Sequence, residues 1–211
     1  MRKIFLHNSL TLSIILVFSI FASFIFSSLQ DPVNNLANLF DLGKYSEVED
    51  LAIKLLVDYP ENKQIYYYLT QSLYKLGKLQ KCIDYTKEAL GIFPNDLQFL
   101  KLIGRVYNDL GQYQQALTNL EKALSLNSSD AWNYYYLAKS YFGLGLYYKA
   151  ITSSNAAIFL GVDQYYPYYY LAFSLNKIGE KNKALEVLQI AMKKFNSSKL
   201  NELYQEINNS N

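Results

Sequence analysis

Four short sets of residues at helical spacing carry what chemistry this chain offers. They are Tyr67, Gln71 and Tyr74; Lys101, Arg105 and Asn108; Tyr135, Lys139 and Phe142; and Tyr169, Phe173 and Asn176. Within each set the positions run i, i+4, i+7, so the three side chains share one face of an α-helix. Trp132 and Tyr166 extend that face toward the helix starts, and Lys75 and Lys177 toward the ends. The face is aromatic with a central group of cations, Lys101, Arg105 and Lys139, and only Asp109 opposes them nearby. Large aromatic rings anchor the apolar groups of a partner, and cations orient a carboxylate. The expected ligand is a protein segment with apolar side chains and at least one carboxylate. Tyrosine runs at 66–68, 134–136 and 168–170 share a register, the first ring expected between helices and the second on the open face. Duplication of a repeat would also produce such runs, so a purely structural surface and a site on the opposite side are the alternatives.

Catalysis is not expected. The chain has no phosphate-cradling glycine loop, no paired metal-ligand motif and no histidine-based triad. His7 is the single histidine and Cys82 the single cysteine, so no metal or cofactor is expected, and Cys82 reads as a buried small hydrophobe. Glu47, Glu49, Asp50, Glu121 and Glu186 read as solvated helix faces. The excess of 20 basic over 18 acidic residues is Arg2 and Lys3, so the remainder is formally neutral. That argues against nucleic acid, which needs a basic surplus. No small-molecule substrate is expected either.

The elements that must position the aromatic face follow from a strict period. Gly43, Gly77, Gly111, Gly145 and Gly179 are each 34 residues apart, and each follows an aliphatic residue. Such a period indicates a small unit stacked on copies of itself. Ahead of each glycine lies one helical face, as in Tyr66, Leu69, Thr70 and Leu73, or Leu100, Ile103, Gly104 and Tyr107. The glycine ends that helix in a left-handed conformation. A second helix follows, with small residues seven apart on its inner side: Cys82 and Ala89, Ala116 and Ala123, Ala150 and Ala157, Ala184 and Ala191. Small side chains there let two helices approach closely. Pro60 and Pro94 close this second helix in the first two units.

These positions resemble the tetratricopeptide repeat. In the fourth unit its pattern reads Tyr134, Leu137, Ala138, Tyr141, Gly145, Ala150 and Ala157; in the third it reads Leu100, Ile103, Gly104, Tyr107, Gly111, Ala116 and Ala123. The resemblance implies an all-α fold, a right-handed superhelical solenoid of five two-helix units. The repeat region is 30–198, in units 29–62, 63–96, 97–130, 131–164 and 165–198. It also implies a concave groove that holds extended peptides or partner helices, built from the four sets above, and a non-catalytic adaptor role that includes assembly of membrane complexes. Chaperone-binding members grip a terminal carboxylate with a set of Lys, Asn and Arg. Here Arg105, Tyr136, Tyr166 and Tyr170 stand at four of those positions, so that clamp is absent in the frame that begins at Lys101. Residues 199–211 read as a capping helix and tail, with Leu200, Leu203, Tyr204 and Ile207 on one face.

After a flank at 1–9, residues 10–29 form a run without charge that holds thirteen Leu, Ile, Val or Phe residues. Twenty helical residues span about 30 Å, a bilayer core. Their transfer favours insertion by on the order of 4 to 8 kcal/mol before the Ser and Thr penalties. The run reads as a single transmembrane signal anchor. Arg2 and Lys3 hold its start in the cytoplasm and send the repeats to the extracytoplasmic side. The alternative is a cleaved leader and a secreted or periplasmic binding module, although cuts after Ser23, Ser27 or Ser28 set Phe21, Ile25 or Phe26 where a small residue is usual. A structural oligomerisation unit is a third reading.

Overall fold

The computed structural model describes residues 32–210. Among them every regular element is helical. The elements are α1 (32–41), α2 (Tyr45–Asp58), α3 (Lys63–Lys75), α4 (Leu79–Ile92), α5 (Leu97–Asp109) and α6 (Tyr113–Leu126). They continue with α7 (Ala131–Gly143), α8 (Tyr147–Phe159), α9 (Tyr166–Lys177), α10 (Lys181–Lys194) and α11 (Ser198–Asn209). The expected membrane segment at 10–29 lies outside the described residues. Among those described, no helix is long and apolar enough to cross a membrane.

The helix boundaries follow from local chemistry. Gly111 shows how the first helix of a pair stops: its φ is +71°, a region where a Cβ would strain the backbone. Its N–H bonds the Asn108 carbonyl at 3.2 Å, and the Gln112 N–H reaches back to the Tyr107 carbonyl at 2.8 Å. This pair of bonds satisfies carbonyls that the helix end would otherwise leave open. The same geometry recurs at the other four periodic glycines, and a sixth time at Gly161 after α8. Helix starts are periodic as well. Asn62, Asp96 and Asp130 cap α3, α5 and α7 by accepting bonds from backbone N–H groups of the first turn. In the next unit Gln164 stands at that position, and α9 starts instead with Pro167 in its first turn.

The chain divides into two compact units, Met1–Lys78 and Leu79–Asn211. In the first, α1, α2 and α3 bury Leu36, Val48, Ala52, Tyr66, Leu69 and Leu73. Phe40 packs against Tyr45 and Tyr68, with ring centroids 5.4 and 5.6 Å away. Glu49 is buried on α2 and is met by Lys78 at 2.5 Å. It is therefore not a solvated residue of the helix face, as its sequence position suggested.

In the second unit each helix packs against the next, and α5, α7, α9 and α11 also touch in that order, forming one layer. The small residues lie where the sequence put them: Cys82, Ala89, Ala116, Ala123, Ala150, Ala157, Ala184 and Ala191 are all buried between layers. The closest approaches are at Gly143, where an added Cβ would stand 2.3 Å from the Tyr113 ring, and at Gly104, where it would stand 2.6 Å from the Leu120 side chain. Beyond the last pair, α11 buries Leu200, Leu203 and Ile207 together with Ala172, Ala184, Leu188 and Ala191. Tyr204, expected on the same face, is half-buried, and its hydroxyl accepts a bond from Gln189 at 3.3 Å.

Candidate partner-binding site

The first-helix layer of the second unit carries nine of the residues singled out above, from Lys101 to Phe173, and Asn176 beyond them. They do not all face outward. Asn108 is buried: its amide donates to the Tyr136 carbonyl at 2.9 Å, and its Oδ1 accepts from Ser140 Oγ at 2.7 Å. It ties α5 to α7, so its polar atoms are committed within the fold rather than open to a partner. Tyr135 is buried too, since α9 packs over it. Its ring lies 5.4 Å from Tyr166 and 6.1 Å from Tyr170. The second ring of this tyrosine run is thus a floor, not a protruding contact.

The cations are also engaged. Lys101 Nζ is 2.6 Å from Asp130, the same carboxylate that caps α7. Lys139 Nζ is 2.7 Å from Asp109. Arg105 lies over the Tyr136 ring at 5.9 Å. Asp130 is the opposing charge that sequence reasoning missed. Lys101 thus pairs with the residue that caps the first helix of the next unit, and Lys139 with an acid of the preceding unit. Each pair is half-buried and worth about 0–1 kcal/mol. Their main effect is on register, since one ties α5 to the cap of α7 and the other ties the end of α5 to the body of α7.

What remains open is aromatic. Trp132 is 40% exposed and meets Tyr135 edge-on at 5.7 Å. Phe142 contacts Phe173 at 4.7 Å and Tyr170 at 5.5 Å, and Tyr169 meets Phe173 at 5.9 Å. Such ring pairs add about 0.5–1.5 kcal/mol each beyond the area they bury, so the surface is stiff before any ligand arrives. Asn176 is half-buried at the end of α9. In the first unit, Tyr67, Gln71 and Tyr74 are each half-buried along α3, with Tyr67 edge-on to Tyr68 at 5.4 Å.

Beside these rings lies a recess of about 410 Å³. Tyr135 and Lys139 from α7 and Tyr166, Tyr169 and Tyr170 from α9 line it, with Tyr165 just ahead of α9. Its far wall is α11, through Lys199, Glu202, Leu203 and Glu206. None of these α11 residues was a sequence candidate, because α11 lies outside the repeat and has no periodic counterpart. Burial, then the neighbouring Glu206 and Glu202, push the Tyr169 phenol above its usual range. The Tyr135 and Tyr170 phenols are raised too, first by burial and then by neighbouring tyrosines and Asp109. All three stay protonated at neutral pH and present neutral rings with hydroxyl donors. Among the described residues no group of three or more His, Cys, Asp or Glu could hold a metal ion.

Comparison with known proteins bears on this architecture. The family model described as anaphase-promoting complex, cyclosome, subunit 3 matches residues 41–123, one described as TPR repeat matches 104–145, and one described as tetratricopeptide repeat matches 168–198. A structure of MamA from Desulfovibrio magneticus RS-1 superposes with a TM-score of 0.72 at 20% identity, covering 84% of this chain and 94% of that one. The fold is that of a tetratricopeptide-repeat solenoid. TTC0263, a thermophilic TPR protein of Thermus thermophilus, gives a TM-score of 0.63 at 23% identity, covering 84% and 97%. A double mutant of MamA RS-1 gives 0.71 at 22%, covering 76% and 90%. No curated protein matches the chain. The tetratricopeptide repeats place aromatic side chains on the first-helix layer.

Proposed function

We propose that this chain is a non-catalytic tetratricopeptide-repeat scaffold that holds a protein segment along the first-helix layer of its second unit. One observation carries the reading: the exposed Trp132 indole, the coupled rings of Phe142, Tyr169 and Phe173, and the adjoining recess occupy the same layer. Rigid aromatic anchors around a depression are the features that concentrate binding energy at protein interfaces. The apolar run at 10–29, preceded by Arg2 and Lys3, supports a tether in a bilayer, with the repeats on the extracytoplasmic side. A scaffold so placed gathers its partner near the membrane, a position suited to assembling membrane complexes.

Photo-crosslinking in native membranes tests the surface. A crosslinking amino acid at Trp132 or at Tyr169 is expected to capture one and the same heterologous polypeptide. At Phe159, 89% exposed on the second-helix side, it is expected to capture none. Capture only from Phe159 moves the site to the other layer, and self-links alone indicate a structural unit. The mass of the mature N-terminus tests the tether: loss of residues through the apolar run makes the protein an exported module.

A further inference from the structure

We propose that the recess between α9 and α11 is a cage for an arginine side chain of the bound segment. The inference rests on the scaffold reading above and names the chemistry of its partner. Its starting point is the balance of charge around the recess. Lys139 is neutralised by Asp109 at 2.7 Å. Of the groups on α11, Lys199 is cationic, whereas Glu202 and Glu206 are anionic and exposed. Among the described residues neither glutamate is in an ion pair. The rim is left with one net negative charge, on the side away from Lys139.

The walls favour the same occupant. Tyr166, Tyr169 and Tyr170 line the recess from α9, and Tyr169 stands edge-on to Tyr170 at 5.5 Å with an interplanar angle of 85°. Rings set at right angles present one face and one edge to the same space. A guanidinium stacks on such a face while its N–H fork reaches carboxylates at the rim, whereas an ammonium offers only a point charge. Glu202 and Glu206 lie one helical turn apart, so both carboxylates edge the same opening. The volume, about 410 Å³, lies in the range of about 300–1,000 Å³ found for sites that enclose a ligand group. A carboxylate in this position would face two unpaired glutamates, a repulsive arrangement that selects against acidic residues.

The probe is acetyl-Arg-Arg-Arg-amide, titrated into the full chain in detergent micelles with fluorotyrosine in place of tyrosine. Fluorine resonances at Tyr169 and Tyr170, assigned by single Tyr→Phe variants, report occupancy. The tri-arginine peptide is expected to shift them and the tri-glutamate peptide is not. Combined Glu202→Gln and Glu206→Gln should weaken binding by about tenfold or more, the scale of a lost charge-assisted hydrogen bond. Tyr169→Ala should weaken it similarly and Tyr169→Phe should retain it, because the ring and not the hydroxyl makes the contact. Glu186→Gln on α10, remote from the recess lining, should have no effect. Preference for tri-glutamate, absence of binding by tri-arginine, or equal sensitivity to Glu186→Gln would each overturn the cage. If the crosslinks from Trp132 still capture a polypeptide in that event, the scaffold stands and only its arginine preference falls.

Discussion

Replacing Asn108 with alanine should weaken the fold more than any single exposed change on the same layer. The side chain is 2% exposed and joins α5 to α7 through two hydrogen bonds, to the Tyr136 carbonyl at 2.9 Å and from Ser140 Oγ at 2.7 Å. Two such bonds contribute about 1–3 kcal/mol together. The full penalty of an orphaned carbonyl does not follow, because Ser140 Oγ lies 3.0 Å from Tyr136 O and can turn its one proton to that carbonyl once Asn108 is removed. An Asn108→Ala cost of about 2 kcal/mol is therefore expected. Asn176 provides the control: it stands two repeat lengths further on, half-buried at the corresponding turn of α9. Asn176→Ala should cost less than about 0.5 kcal/mol. Urea unfolding of the full chain in micelles, followed by far-ultraviolet circular dichroism, gives each value. A cycle with Ser140→Ala should show a coupling of at least about 0.5 kcal/mol, as expected of residues in one network. Equal costs at Asn108 and Asn176, or additive effects of Asn108 and Ser140, would refute the inter-repeat strut.

Two other outcomes can be checked in the same apparatus. Gly104→Ala places a methyl 2.6 Å from Leu120 and should cost about 1–3 kcal/mol by overpacking, and combined with Leu120→Ala it should cost less than the two single changes summed. For Cys82, burial pushes the thiol from 9.0 up to about 11, partly offset by the Thr86 hydroxyl. Below pH 9 both states keep the proton and this contribution to stability is complete. Between pH 9 and about 11 the unfolded chain releases it while the folded chain holds it, so stability falls as pH rises. The difference between the parent chain and Cys82→Ala should shrink across that window, and a constant difference would contradict burial of the thiol.

The features legible in the sequence are those written into the backbone or repeated with the period. Gly111 stops a helix because of its own φ, and Ala116 or Ala150 is buried because a larger side chain would push two helices apart. Asn62, Asp96 and Asp130 cap three helices at the same interval, so the helix starts too are written with the period. The site was less legible because its geometry depends on what each face meets in the neighbouring unit. Tyr135 occupies the same register as half-buried Tyr67 and Tyr169, yet α9 covers it. The ion pairs Glu49–Lys78, Lys101–Asp130 and Asp109–Lys139 join residues 29, 29 and 30 positions apart. That offset, slightly short of one repeat, becomes a contact only once the pairs are stacked.

The position of α11 has a further consequence. It lies against α9 and α10 as the leading helix of another pair would, and it buries Leu200, Leu203 and Ile207 there. A second molecule cannot add its own hairpin to this end without first evicting that helix. Without the apolar triad the array would lose its stop, and head-to-tail polymerisation would become open to the ends of separate chains.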